Sequence, residues 1–91
     1  MSIEHVVNRA SIEETVTRTI SDALRLSRDR VTVTTSLVDD LKVDSLDALE
    51  IVLALEETFS IIIPNEVVPQ FRTVADIIDG VCARLDEKVA G

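Results

Sequence analysis

The sequence predicts an all-α fold: a small four-helix bundle with three main helices, a short third helix and a long loop between helices I and II. Three observations predict it. Two segments open on a capping signal and continue with apolar residues at helical spacing. A third is strongly apolar and follows an aspartate. Strand-like alternation occurs at Val31-Thr32-Val33-Thr34, and no second convincing strand exists to pair with it.

The elements follow in order. Residues 1–10 read as an N-terminal extension, with Ile3, Val6, Val7 and Ala10 at roughly helical spacing, which could prolong the first helix or fray. Ser11 with Glu14 has the spacing of a capping box, so helix I is expected to start there and to end near Leu26. Its apolar stripe is Ile12, Val16, Ile20, Ala23 and Leu24. Residues 27–42 show no sustained period and read as a long loop pinned by Val31, Leu37 and Leu41; a loop of that length hints at function. Helix II should run from Ser45 to Phe59, with Asp44 as N-cap and Asp47 at the positive end of the dipole. Pro64 stops it, leaving room up to Gln70 for a short helix or turn. Thr73 with Asp76 repeats the capping-box spacing. Val74, Ile77, Ile78, Val81, Cys82 and Leu85 then form the last amphipathic stripe. Gly80 within it costs about 1 kcal/mol relative to alanine. One domain over residues 11–88 and a tail at 89–91 complete the division.

Composition excludes several function classes. Ninety-one residues suffice for one modest core. That core must be aliphatic, because the chain has two phenylalanines and neither tryptophan nor tyrosine. A net charge of −8 argues against nucleic acid or an anionic membrane as partner, and for basic protein surfaces. Cys82 is the only cysteine, which rules out an intrachain disulfide and a cysteine metal cluster; its place on the last stripe makes it a core residue. No apolar run reaches transmembrane length and no signal-peptide pattern opens the chain, so a cytoplasmic monomer without stable membrane insertion is expected.

Helix II carries two apolar groups. At about 100° per residue, Ala48, Ile51, Val52, Leu55 and Phe59 share the natural core face. Leu46, Leu49 and Leu53 lie well around from it, flanked by Glu50, Glu56 and Glu57. Burial of this second stripe by a neighbouring helix is one reading, at the expense of burying glutamates. A docking surface, apolar for affinity and charged for steering, is the other.

Ser45 opens this helix beside unpaired N–H groups and the positive dipole end, where an attached phosphate is well accommodated. A catalytic serine needs a base, and the only histidine, His5, stands in the N-terminal extension. Asp39, Asp40, Asp44 and Asp47 lack the spacing and glycine of an EF-hand loop, so no metal site is expected. Ser45 therefore reads as a residue to be modified rather than one that performs chemistry, although Asp44-Ser45 taken alone is most often just a helix cap.

The longer context is more specific. Asp39-Asp40-Leu41-Lys42-Val43-Asp44-Ser45-Leu46-Asp47 is followed by Leu49-Glu50-Ile51-Val52, then Leu55-Glu56-Glu57-Thr58-Phe59. Together with Ile63-Pro64-Asn65-Glu66 and Thr73-Val74-Ala75-Asp76-Ile77, this resembles bacterial acyl carrier proteins over residues 11 to about 85. The resemblance implies a four-helix carrier without catalysis of its own. It implies that Ser45 carries a covalent 4′-phosphopantetheine arm, attached by a phosphopantetheinyl transferase, whose thiol holds acyl groups as thioesters for fatty-acid, lipid or polyketide enzymes. It implies that Leu55, Phe59 and Ile63 shelter the acyl chain. Acyl-transferring and chain-elongating enzymes with basic docking surfaces would read Asp44, Leu46, Asp47, Leu49, Glu50, Leu53, Glu56 and Glu57.

Three departures from that family stand out. Lys42 and Arg25 occupy positions where glycine is common, and the segment after Pro64, usually acidic, is apolar at Val67, Val68 and Pro69. These leave the arm in place and put the standard fatty-acid partnership in question. An aminoacyl or peptidyl carrier is the alternative within carriers, although glycine-rich sequence before the serine would be expected there. An unmodified helical interaction module is the alternative from another class.

Overall fold

The computed structural model describes residues 8–90, with side chains described through residue 86. Three α-helices, α1 (Arg9–Leu24), α2 (Ser45–Phe59) and α3 (Val74–Ala90), form the bundle. A 3-10 helix, Asn65–Gln70, supplies the short fourth element, and a 3-10 turn, Arg28–Arg30, sits in the long loop. Among the described residues there is no β-strand, only an isolated antiparallel bridge between Ser36 and Thr73. The fold is all-α, as the periodicity predicts.

α1 begins earlier than its sequence suggests. Asn8, not Ser11, is the N-cap: its side chain accepts from Ala10 N at 2.8 Å and Ser11 N at 3.4 Å. Asparagine caps as well as serine does, and the extra residues bring Arg9 within 2.7 Å of Asp79 on α3. Glu14, expected in the capping box, instead faces Arg18 at 3.9 Å and Arg28 at 3.8 Å. Residues 8–10, read as extension, thus cap and open the helix; His5, Ile3, Val6 and Val7 lie outside the described residues. α1 also stops at Leu24, short of Leu26, because Arg25 turns left-handed (φ 59°) and Leu26 N–H bonds back to Ser21 O at 2.8 Å.

The core is aliphatic. Ile12, Val16 and Ile20 of α1 meet Ile51, Val52 and Leu55 of α2 and Val74, Ile77, Ile78 and Val81 of α3. α1 packs against both other helices. Burial of each such side chain is worth about 1.5–3 kcal/mol, which is how a chain without tryptophan or tyrosine holds together. Cys82 and Leu85 pack against this core half-buried.

The long loop is ordered by two kinds of anchor. Val31 and Leu37 are buried, with Val33 and Leu41 packed against the core. The loop backbone also closes the α3 N-terminus: Val74 N donates to Thr35 O at 3.0 Å and Ala75 N to Val33 O at 2.9 Å. Val31-Thr32-Val33-Thr34 is therefore no strand: Val33 O serves a helix end and Thr32 O a turn closed by Thr35 N. The turn over residues 36–43 is self-capped, Asp40 accepting from Ser36 N and Ser36 Oγ from Asp39 N. It ends with Val43 N on Leu37 O at 2.9 Å, which delivers Asp44 to the start of α2.

Candidate functional site at the start of α2

α2 spans the residues that the sequence predicts. Asp44 caps it through a full capping box: Asp47 N donates to Asp44 Oδ1 at 2.8 Å, and Asp47 Oδ2 accepts from Asp44 N at 3.4 Å. Ala48 N donates to Asp44 O at 2.9 Å. The N–H groups of Ser45 and Leu46 are left without an intrahelical partner at the positive end of the helix dipole. Ser45 occupies the first helical position with an exposed side chain. Among the described residues no histidine, lysine or other base hydrogen-bonds its hydroxyl. A phosphodiester on this oxygen fits: it meets solvent, two unpaired N–H donors and a favourable dipole.

Beside Ser45 opens an apolar cavity of about 420 Å³. Its wall on α2 runs from Ser45 through Ala48 to Ile51 and Val52, two helical turns or about 10 Å. Leu37, Val38 and Val43 contribute from the loop, Val68 and Pro69 from the 3-10 helix, and Phe71 and Ile77 complete it. Ile51 and Ile77 are almost fully buried, whereas Val38 is 62% exposed, so the cavity leads inward from the serine. Its volume falls within the range of small-molecule pockets.

Leu55, Phe59 and Ile63 do not line this cavity. Leu55 and Ile63 are buried core residues and Phe59 packs half-buried against that core. They belong to the same core that Ile51, Val52 and Ile77 of the cavity wall join. The lining residues that sequence reasoning missed, Val68, Pro69 and Phe71, stand in or just after the apolar segment following Pro64. That unusual apolarity was the signal available for them.

The second stripe of α2 is outside the core. Leu46, Leu49 and Leu53 are 63%, 53% and 55% exposed, which decides between the two sequence readings against burial by a neighbour. Glu50 and Glu57 are exposed with them. Glu56 is different: its Oε2 accepts from Ile63 N at 2.9 Å and so ties the chain after α2 to the helix. Asp44 and Asp47 likewise hold each other in the capping box while standing beside Ser45. Two exposed apolar residues that the sequence reading did not single out, Val38 and Ile62, occur before and after the helix. Among the described residues no three of His, Cys, Asp or Glu come together as a metal site requires. No helix is long and apolar enough to cross a membrane among those residues.

Comparison with known proteins agrees with this geometry. Residues 14–81 match the family model described as "Phosphopantetheine attachment site", a span centred near Ser45 and covering all three α-helices in whole or part. An acyl carrier protein of Akkermansia muciniphila is 43% identical over 68 residues, 75% of this chain and 85% of that relative. An acyl carrier protein of Thermosynechococcus vestitus is 37% identical over 73 residues, 80% of this chain and 90% of that relative. The chain belongs to the phosphopantetheine attachment-site family, in which its curated relatives are acyl carrier proteins.

Proposed function

We propose that Ser45 is the residue that bears the 4′-phosphopantetheine arm. The observation that carries this is its position: the first residue of α2, exposed, at the mouth of the apolar cavity. The chain is an acyl carrier, not an enzyme, and its arm is covalent. When bound, the arm supplies a thiol on which acyl groups ride as thioesters. The residues of the chain do the rest. Asp44 and Asp47 fix the helix start that presents the serine, and Ala48, Ile51, Val52 and Ile77 offer apolar surface to the cargo.

The exposed leucines with Glu50 and Glu57 form the face that partner enzymes read on this carrier, a monomer of the cytoplasm. Supporting this are the solvent exposure of three leucines at i, i+3 and i+7 on the helix that Ser45 opens, and the acidic charge of the chain. The transferase and the acyl-transferring and chain-elongating enzymes are its partners, and basic docking surfaces complement it.

Incubation of the apo protein with coenzyme A, magnesium and a promiscuous phosphopantetheinyl transferase tests the anchor. Intact-mass measurement is expected to show addition of one arm, absent in Ser45→Ala. An arm that still attaches to Ser45→Ala removes Ser45 from the role.

A further inference from the structure

We propose that Phe71, seated on Gly80, sets the length of acyl chain that the cavity beside Ser45 can house; this rests on the carrier reading above. Phe71 is the one aromatic residue lining that cavity. Its ring also presses against α3: a Cβ placed on Gly80 would lie 2.9 Å from Phe71 Cε1 and 3.1 Å from Cζ. Contact that close is not sustained by real side chains, so any residue other than glycine at 80 moves the ring.

Nothing else in the structure calls for glycine at that point. Among the described residues no glycine has a positive φ, so the Gly80 backbone is one that any residue adopts. Glycine weakens a helix interior, and here it stands within a seventeen-residue helix. What Gly80 provides is room for the ring. With the ring parked there, Phe71 leaves the cavity open at about 420 Å³; pushed off Gly80, it has that open space to move into. Phe71 is half-buried and turns on only two side-chain torsions, so its displacement does not require the core to unpack. Greater size at either position therefore reduces cavity volume. A smaller residue at 71 deepens it, and a larger one at 80 fills it.

The test uses the full chain, loaded through coenzyme A thioesters with saturated acyl groups of increasing length. Attachment is checked by intact mass, and thioester shielding by the rate of hydroxylamine cleavage. Each further methylene housed is worth about a fourfold slowing. In the wild type, slowing with chain length is expected to reach a plateau. Phe71→Ala, with Phe71→Leu as the milder variant should alanine disturb folding, shifts that plateau to longer chains. Gly80→Ala shifts it to shorter ones. A plateau that stays in place in every variant, or moves the same way in Phe71→Leu and Gly80→Ala, overturns the inference and leaves the carrier reading intact. A chain that accepts no arm overturns both.

Discussion

Among the described residues, three other than glycine adopt the left-handed conformation: Arg25, Lys42 and Ser60, at φ 59°, 57° and 55°. Each stands at a point where the chain must reverse out of a helical turn, and a Cβ there is sterically costly. Arg25 ends α1, Lys42 precedes the cap of α2, and Ser60 ends α2. Arg25 and Lys42 are the two positions at which the resembled family commonly has glycine, so the structure supplies the physical reason for that preference. Replacing either with glycine is expected to stabilise the fold by about 0.5–1 kcal/mol, because relief of strain exceeds the added freedom of the unfolded chain. Thermal melts of Arg25→Gly and Lys42→Gly check this, with a rise of several degrees expected for each. A fall in both would show that the side chains make compensating contacts. Cys82 is read at the same scale. Burial pushes its thiol up from the ordinary value although Arg9 opposes it, which leaves it a packing residue rather than a reactive one.

Helix ends decide how the elements meet, and the α3 N-terminus shows it best. Asp76 Oδ2 accepts from Arg72 N at 2.9 Å and Thr73 N at 3.0 Å, while Thr73 Oγ1 accepts from Asp76 N at 3.3 Å. These backbone donors hold the Asp76 carboxyl below its ordinary value of 3.8. The folded state thus binds this proton less readily than the unfolded state. Its stabilising contribution is complete above 3.8 and is lost as the pH falls below it through the lowered folded value. Asp76→Ala is expected to cost about 1–2 kcal/mol at neutral pH. Denaturant melts of both proteins should converge as the solution is acidified below that value; an unchanged gap would assign the loss to packing instead. This cap was legible in the sequence, as were α2 from its aspartate to its phenylalanine and the aliphatic stripes, because each is a local pattern. The start of α1 was not, since Asn8 and Ser11 are both good caps and it is contacts across the bundle, from Arg9 to Asp79 and Cys82, that favour the earlier one. The place of Ser45 at the start of α2 was legible for the same local reason. The cavity was not: it is assembled from the loop, the 3-10 helix and two α-helices, and no periodicity within one segment places Val43, Val68 and Phe71 together.

At the scale of the whole molecule, charge and exposed apolar surface converge on α2. A chain of net charge −8 attracts basic surfaces from beyond contact distance, and Leu46, Leu49 and Leu53 offer apolar area once contact is made. Among the glutamates of that helix, Glu56 is committed to the Ile63 N–H, which leaves Glu50 and Glu57 as the exposed pair best placed to steer without holding the fold. Reversing both, Glu50→Lys with Glu57→Lys, is expected to raise KM for the loaded carrier on the order of tenfold with a basic-surfaced acyl-transferring enzyme. The turnover number should change less, because the reacting thioester sits on the distant arm. Circular dichroism should show helix content near that of the wild type, since neither carboxylate caps a helix. The wild-type advantage should shrink as salt is added, screening exposed charges over about 8 Å at physiological ionic strength. An unaltered KM in the double variant, with arm attachment and fold intact, would place the docking face elsewhere and leave the exposed leucines of α2 without a charged rim to guide a partner onto them.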